Sequence, residues 1–161
     1  MTQQGKLRAS LVVIALLVIA LVALLVKFVV IGSTLPAQDG RIVVALDPGE
    51  RALMLREMRG FVDALQRITD GLARGDSKEV SEAARAVGVA AAHNAPVTML
   101  GKLPLEFKRL AFGVHGGFDQ LATDAANGAP REQSLKELST ILGGCVACHA
   151  SYQAAAPAAS R

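Results

Sequence analysis

The chain has few aromatic residues. It contains no Trp and one Tyr in 161 residues, whereas Ala and Leu are abundant. Aromatic and β-branched residues favour strands, while Ala and Leu favour helices. This composition argues against a large β-sheet and predicts a helical protein with room for one domain.

An excess of one charge is missing from most of the chain. The net charge of +3 comes from the segment before residue 33, which holds Lys6, Arg8 and Lys27 and no acidic residue. From Ser33 onward, 17 − 3 = 14 Lys and Arg face 14 Asp and Glu. A nucleic-acid-binding surface needs a local excess of basic residues, so no nucleic-acid partner is expected.

Familiar catalytic patterns are missing as well. The sequence shows no serine nucleophile motif, no phosphate-binding loop and no carboxylates paired at catalytic spacing. Asp63, Asp70, Asp119 and Asp124 are spread over two predicted helices and are interpreted as parts of solvated faces. We therefore do not expect an enzyme.

One long apolar run lies near the N-terminus. Leu11 to Val26 is wholly apolar, and Phe28 to Ile31 extends the run past Lys27. Residues 11–31 would form about 31 Å of helix at about 1.5 Å per residue, enough to cross a hydrocarbon core. Residues 1–32 are therefore predicted to be an uncleaved membrane anchor. A cleaved signal peptide is the alternative, although its apolar region is usually only about 7 to 15 residues long.

A linker is predicted to follow the anchor. Residues 33–46 include Pro36, Asp39 and Gly40, which are typical of turns and loops. The apolar stretch Ile42 to Leu46 within this segment is not assigned to an element. We see no strand-pairing pattern and no internal repeat in the chain.

Residues 47–153 are predicted to form four amphipathic helices. Asp47-Pro48-Gly49-Glu50 is a helix start, because Asp47 can cap, Pro48 suits the first turn and Glu50 can complete a capping box. The helices are expected from Pro48 to Arg74, from a cap at Asp76 or Ser77 to Asn94, from Leu105 to Asn127, and from Arg131 to Tyr152. Residues 154–161 are predicted to be a flexible tail.

Apolar residues recur every three or four positions in each predicted helix, as in helices that bury one face. The predicted inward positions are Met54, Met58, Phe61, Leu65, Ile68 and Leu72; Val80, Ala84, Val87 and Ala91; Leu110, Val114, Phe118 and Leu121; and Leu135, Leu138, Leu142, Cys145, His149 and Tyr152. The predicted fold class is all-α, an up-down-up-down four-helix bundle preceded by one N-terminal transmembrane helix.

The last predicted helix carries the sequence Cys145-Val146-Ala147-Cys148-His149. Two cysteines three apart, followed at once by a histidine, are typical of covalent haem c attachment. Residues three and four apart share one face of a helix, so the three side chains can address one flat macrocycle. The two thiols can form thioethers with the haem vinyl groups, while the His149 imidazole binds the iron.

Two other interpretations of this motif remain open. A thioredoxin-like redox pair should lie between a strand and a helix in a βαβ pattern, and none precedes it. A structural zinc site usually has four ligands, and His93, His115 and His149 would have to complete it. We expect His115 to be a partly exposed helical histidine and His93 to be structural, at the C-terminal end of the second helix.

Haem c attachment agrees with the orientation that the charges predict. Lys6 and Arg8 precede the apolar run and should stay in the cytoplasm. Bacterial haem c attachment takes place on the periplasmic side of the membrane. We therefore expect a single-pass protein of the bacterial inner membrane with its haem domain in the periplasm.

Four short-looped helices with haem c attached near the end of the fourth resemble the cytochrome c′ family. The resemblance covers residues 47–153. It is carried by the attachment motif with Tyr152 in the last helix, and by Arg51 in the first helix with Leu55 four residues later and Gly60 beyond. It implies that Leu55 faces the distal side of the haem, where a leucine leaves the iron five-coordinate, as in gas-binding members. A methionine there gives the six-coordinate, electron-transfer members.

Two methionines flank Leu55. Met58 lies where two apolar stripes of the first helix overlap, so its position is central to the buried face. We expect the Met58 thioether to be the sixth iron ligand, with Leu55 and Phe61 shaping the distal side. The alternatives are Met54 as ligand, or a five-coordinate iron under Leu55 with Met58 as an ordinary core residue.

A second departure from the family pattern is Gln153, because members commonly carry an arginine after the tyrosine. Loss of this cation near the haem weakens the expectation of gas trapping. The sequence thus predicts a membrane-anchored periplasmic c-type cytochrome that passes single electrons between membrane or periplasmic redox partners. A five-coordinate haem module that binds nitric oxide or carbon monoxide is the alternative. The resemblance and the apolar surface of the first helix make a homodimer plausible.

Overall fold

The computed structural model describes residues 3–155, and the protein is mostly helical. Its elements in chain order are α1 (Gln3–Leu25) with a π-helical continuation (Val26–Ile31), β1 (Thr34–Pro36), β2 (Ile42–Ala45), α2 (Pro48–Arg74), α3 (Ser77–Arg85), α4 (Val89–Ala92), α5 (Val97–Leu100), α6 (Leu105–Ala126), α7 (Arg131–Ser151) and β3 (Tyr152–Ala155). The predicted tail beyond Ala155 lies outside the described residues.

The N-terminal helix is long and apolar enough to cross a membrane, as predicted. Its span covers Ser10–Ile31, with a mean hydropathy of 3.2 and no part buried against the rest of the protein. At about 1.5 Å per residue such a helix matches a hydrocarbon core of about 30 Å.

Three short strands form one sheet, so the prediction that no strands pair is wrong. Strand β2 lies in the middle, antiparallel to β1 and parallel to β3. The segment predicted as a linker, residues 33–46, thus holds two strands, and Ala154 and Ala155 of the predicted tail belong to the third. Strands of three or four residues are too short to show a clear alternation of apolar and polar positions.

Helix α2 begins where the capping pattern predicts. The Asp47 backbone N–H donates to Glu50 Oε2 over 3.0 Å, which satisfies one of the donors that a helix start leaves open. The helix ends at Gly75, whose φ of 74° is left-handed. The predicted bounds of this helix are therefore confirmed.

The second predicted helix is broken in two. Helix α3 ends at Arg85, and α4 begins at Val89, whose N–H donates to Asp119 Oδ2 over 2.9 Å. Asp119 therefore caps a helix from α6 rather than lying on a solvated face, as was predicted. A Cβ on Gly88 would overlap the Asp119 carboxylate, which is why a glycine suits this break.

Four helices of the domain, namely α2, α3, α6 and α7, bury their faces against each other. Helix α2 contacts α3 and α7, and α6 contacts the same two helices. Most predicted inward positions of α2, α3 and α6 are buried, namely Met54, Phe61, Ile68, Leu72, Val80, Ala84, Val114, Phe118 and Leu121.

The buried face of α7 differs from the predicted one. Leu135 and Leu142 are 48% and 40% exposed, whereas Ser134, Leu138 and Ile141 are buried. The predicted and the observed stripes share Leu138 and Cys145. Elsewhere the observed stripe is shifted by one residue, for example from Leu142 to Ile141. Because Ile141 and Leu142 are both apolar, hydrophobicity alone did not separate the two stripes.

The anchor ends directly against the domain. The Ser33 N–H donates to Lys102 O over 2.7 Å. The Lys108 ammonium donates to the carbonyl oxygens of Phe28 and Val29 over 3.0 and 3.2 Å. These bonds satisfy carbonyl groups that the end of a helix leaves open, so the end of the span is joined to the chain just before and within α6.

Candidate functional site

A cavity of about 280 Å³ lies between α2, α5, α6 and α7. Its walls are mainly apolar, and strand β3 closes part of it. All six residues predicted for a haem site line this cavity: Cys145, Cys148, His149, Met58, Leu55 and Phe61. The structure thus brings together residues that are about 90 positions apart in sequence.

The attachment motif occupies the last turns of α7. Cys145 and Cys148 are half-buried free thiols. His149 lines the cavity but is exposed, so the prediction that it faces inward with the buried stripe is wrong. His149 Nδ1 lies 2.8 Å from the Cys145 carbonyl oxygen. A carbonyl oxygen only accepts, so Nδ1 carries the proton and donates, and Nε2 keeps its lone pair. This is the tautomer and orientation that a metal-binding histidine needs.

The two thiols are poorly suited to thiol redox chemistry. Burial raises the pKa of the Cys145 thiol, and burial together with the neighbouring Cys145 raises the pKa of Cys148. Both thiols are therefore protonated at neutral pH, whereas reactive redox cysteines usually have lowered pKa values.

The zinc interpretation gains no support either. Among residues 3–155, no group of three or more His, Cys, Asp or Glu side chains could hold a metal ion. His93 is exposed at the C-terminal end of α4. A closed zinc site needs four ligands around one point.

Helix α2 supplies the wall opposite the motif. Met58 and Leu55 are half-buried, and Phe61 is buried. Met54 also lines the cavity, but it is buried in a cluster with Val44 and Leu46. Met54 is thus buried in one core cluster, whereas Met58 is half-buried at the edge of another, the cluster that contains Phe61.

His115 was predicted to be partly exposed, and this prediction is wrong. It is 4% exposed and lines the cavity from α6. Its Nδ1 donates to Val87 O over 2.8 Å, its Nε2 lies 3.5 Å from Glu57 Oε1, and its ring centroid is 5.1 Å from that of Phe61. The spacing to Phe118, three residues later on the buried face, is the signal that places His115 inside.

Burial and pairing act in opposite directions on His115. Burial alone lowers its pKa. The Glu57 carboxylate and the Val87 carbonyl together raise the pKa by a larger amount, so it lies above its usual value. The raised pKa favours the charged imidazole, which lies between Glu57 of α2 and Val87 in the turn between α3 and α4.

A cation lies at the mouth of the cavity, although position 153 is not an arginine. The Arg41 guanidinium lines the cavity and donates from Nη2 to Gln153 Oε1 over 3.1 Å. Asp39 forms an ion pair with the same guanidinium, with Oδ2 at 2.7 Å from Nη2. Gln153 therefore positions a cation from the chain before β2 instead of supplying one.

Two residues that carry the resemblance to the cytochrome c′ family, Arg51 and Tyr152, connect β3 with the helices. The Arg51 Nε donates to Ala154 O over 3.2 Å. Tyr152 is buried at the cavity and meets Phe107 edge-on, with ring centroids 5.3 Å apart. These two contacts hold the C-terminal end of α7 and strand β3 against α2 and α6.

The chain was also compared with known proteins. No family model, no curated protein and no solved structure matches the chain. The resemblance to the cytochrome c′ family is thus carried by individual residues, the haem attachment motif with Tyr152 and Arg51 with Leu55.

Proposed function

We propose that this protein is a membrane-anchored c-type cytochrome that holds one covalent haem in the cavity and passes single electrons. The observation that carries the proposal is the convergence of Cys145, Cys148 and His149 on one apolar cavity. Two thiols and an imidazole with a free Nε2 lie within one turn of α7. This donor set suits two thioether bonds and one axial iron ligand.

The lining of the cavity suits a large, mainly apolar cofactor. Its volume of about 280 Å³ is just below the usual range of ligand sites, about 300–1,000 Å³. Because the cavity is open on one side, a macrocycle can enter with one edge outside. Arg41 lines it as well, and a cation suits the carboxylates of a haem.

Individual residues of the chain have different roles around such a cofactor. Cys145 and Cys148 hold it, and the Cys145 carbonyl keeps the His149 ring in the orientation that presents Nε2. The apolar walls from α2 and α6 exclude water. A haem supplies a one-electron redox centre whose potential depends on axial ligation, burial and nearby charge.

We also propose that α2, α3, α6 and α7 form an up-down-up-down four-helix bundle. The ring of contacts α2 to α3, α3 to α6, α6 to α7 and α7 to α2 supports this arrangement. It also places the haem motif at the end of the last helix, as in the family that the chain resembles.

The span Ser10–Ile31 supports anchoring in a membrane. We propose that it crosses the bacterial inner membrane and that the domain faces the periplasm, because Arg8 and Lys6 precede the span. A tether raises the local concentration of redox partners at the same membrane.

On the distal side we propose the Met58 thioether as the sixth ligand. Met58 lines the cavity and is only half-buried, at the edge of the core cluster that contains Phe61, so its side chain is beside the space that the haem would take. Leu55 lines the same wall. If Leu55 covers the iron instead, the site is five-coordinate, and the protein binds nitric oxide or carbon monoxide.

The test is an absorption spectrum of the haem-loaded full chain, oxidised and reduced, with and without carbon monoxide. Methionine ligation predicts a low-spin spectrum with a sulfur-to-iron charge-transfer band that Met58→Ala removes. Met54→Ala is the matched control and should keep the band, because Met54 packs in the cluster with Val44 and Leu46. A high-spin spectrum that shifts with carbon monoxide in the unmodified chain would refute the methionine ligand and favour gas binding.

A further inference from the structure

We propose that the protein has a second membrane contact beside its anchor. Its residues are the segment 94–101, which includes α5, together with Phe112 of α6. In this arrangement the domain lies against the lipid headgroups instead of being attached to the membrane by the anchor helix alone. The inference rests on the proposed membrane anchoring by α1 and goes beyond it by assigning a lipid-contacting surface to the domain.

The first observation is the position of this surface relative to the span. Gly101 lies against the Phe28 ring, so that a Cβ on Gly101 would be 3.3 Å from Cδ1 of that ring. Phe28 belongs to the span Ser10–Ile31. Gly32 follows at φ 68° with no space for a Cβ, because the backbone at 102–104 passes against it. The end of α5 therefore lies beside the C-terminal end of the span.

The second observation is the composition of the segment. Asn94-Ala95-Pro96-Val97-Thr98-Met99-Leu100-Gly101 contains no charged residue. Val97 is 83% exposed, more than the large apolar residues of the span, which are 42 to 65% exposed. A large apolar side chain exposed beside a membrane-spanning helix is explained if lipid covers it.

The third observation concerns α6, where Lys108 and Phe112 are four residues apart and share a face. Lys108 donates to the carbonyl oxygens of Phe28 and Val29, so this face points to the end of the span. Phe112 is 42% exposed on it. Phenylalanine is typical of the apolar side of segments that lie in the interface, about 5–10 Å into the headgroup region.

The bilayer is a better occupant for this surface than a second protein. The surface is continuous with the span through Gly101 and Lys108, and the membrane is present wherever the span is. The basic group in the segment that follows, Lys102, is already engaged by Asp47 and Glu50 at 2.8 and 2.6 Å. Lys102 therefore does not leave an unpaired cation next to the segment.

The contact would fix the direction in which the cavity faces. Ala95, Leu100 and Phe112 line the cavity as well as belonging to the proposed contact. One wall of the cavity is then covered by lipid, and redox partners in the periplasm approach the opposite side.

The inference can be tested by cysteine accessibility in the haem-loaded full chain. Val97→Cys is compared with Val62→Cys, because both valines are highly exposed, at 83% and 66%, and Val62 lies on α2, outside the proposed contact. Each variant is placed in phosphatidylcholine and phosphatidylglycerol nanodiscs that hold one chain each, so a second copy cannot protect either site. The rate of modification by a polyethylene-glycol maleimide is measured for both.

We expect Val97→Cys to react at least about tenfold more slowly than Val62→Cys, since an interfacial side chain is shielded from a large water-soluble reagent. Thr98→Cys gives a second position in the segment and should be slowed as well. Equal rates at positions 97 and 62 would overturn the inference.

Two controls separate this inference from the proposed function. The unmodified chain should not react, because Cys145 and Cys148 are thioethers when haem is attached. If it does react, the haem proposal fails, while the ratio of the rates at positions 97 and 62, measured by peptide mapping, still decides the membrane contact. A chain that does not enter nanodiscs at all would overturn both the anchor and the contact.

Discussion

Two neighbouring glycines of α7 should respond in opposite ways to the same substitution. A Cβ at Gly143 meets no atom within 4 Å, whereas a Cβ at Gly144 would lie 2.9 Å from Val114 Cγ2 of α6. Val114 and Cys145 both line the cavity. Gly144 thus allows α6 and α7 to approach each other beside the attachment motif, while Gly143 has no such role.

The expected free energies follow from this geometry. Ala in place of Gly stabilises a helix interior by about 0.5–1 kcal/mol, and Gly143→Ala should show this gain. Gly144→Ala has the same helix gain, but overpacking costs typically about 1–3 kcal/mol. The branched Val114 side chain has few rotamers with which to yield. The net effect of Gly144→Ala should therefore be a loss of up to about 2 kcal/mol.

Urea unfolding followed by circular dichroism, with the full chain in detergent, measures both changes. The midpoint should rise for Gly143→Ala and fall for Gly144→Ala, with similar slopes. In the haem-loaded protein, only Gly144→Ala should change the absorption spectrum, since its contact reaches the cavity wall. Equal stabilisation by the two substitutions would refute the close approach of α6 and α7 at this point.

Two further predictions concern charge near the cavity. Arg41→Gln removes a cation from the cavity mouth and should lower the haem reduction potential by an amount on the order of tens of millivolts, measured by a redox titration; an unchanged or raised potential would contradict this role. Because the pKa of His115 is raised in the folded protein, its contribution to stability is complete below the unfolded pKa of about 6.5 and is lost as the pH rises through the folded pKa. Unfolding free energies measured from pH 5 to pH 8 should fall in the unmodified chain and fall less in Glu57→Gln; parallel pH profiles would show that Glu57 does not raise this pKa.

Much of the helical framework is predictable from the sequence, because it depends on local signals. The Asp47 to Glu50 capping pattern marks the start of α2, and Gly75 marks its end. The run from residue 11 to residue 31 predicts the span, since length and hydropathy suffice to recognise it. Such signals act within a few turns of one helix.

The features that the sequence does not predict depend on distant partners. The sheet joins β2 to β3 across more than 100 residues, and strands this short carry no periodic pattern. The burial of His115 depends on Val87, in the turn between α3 and α4, and on Glu57 of α2. The Arg41 cation reaches the cavity through Gln153, from the other end of the domain's sequence. None of these pairings has a local signature.

The central claim is that Cys145, Cys148 and His149 hold a covalent haem. The most direct measurement is the mass and haem content of the full chain produced in cells that carry out haem c maturation, with the protein denatured before analysis. The account predicts one haem per chain that stays attached after denaturation, and loss of both thioethers in the Cys145→Ala, Cys148→Ala double variant. A chain recovered without covalent haem, with both thiols free to react after denaturation, would contradict it.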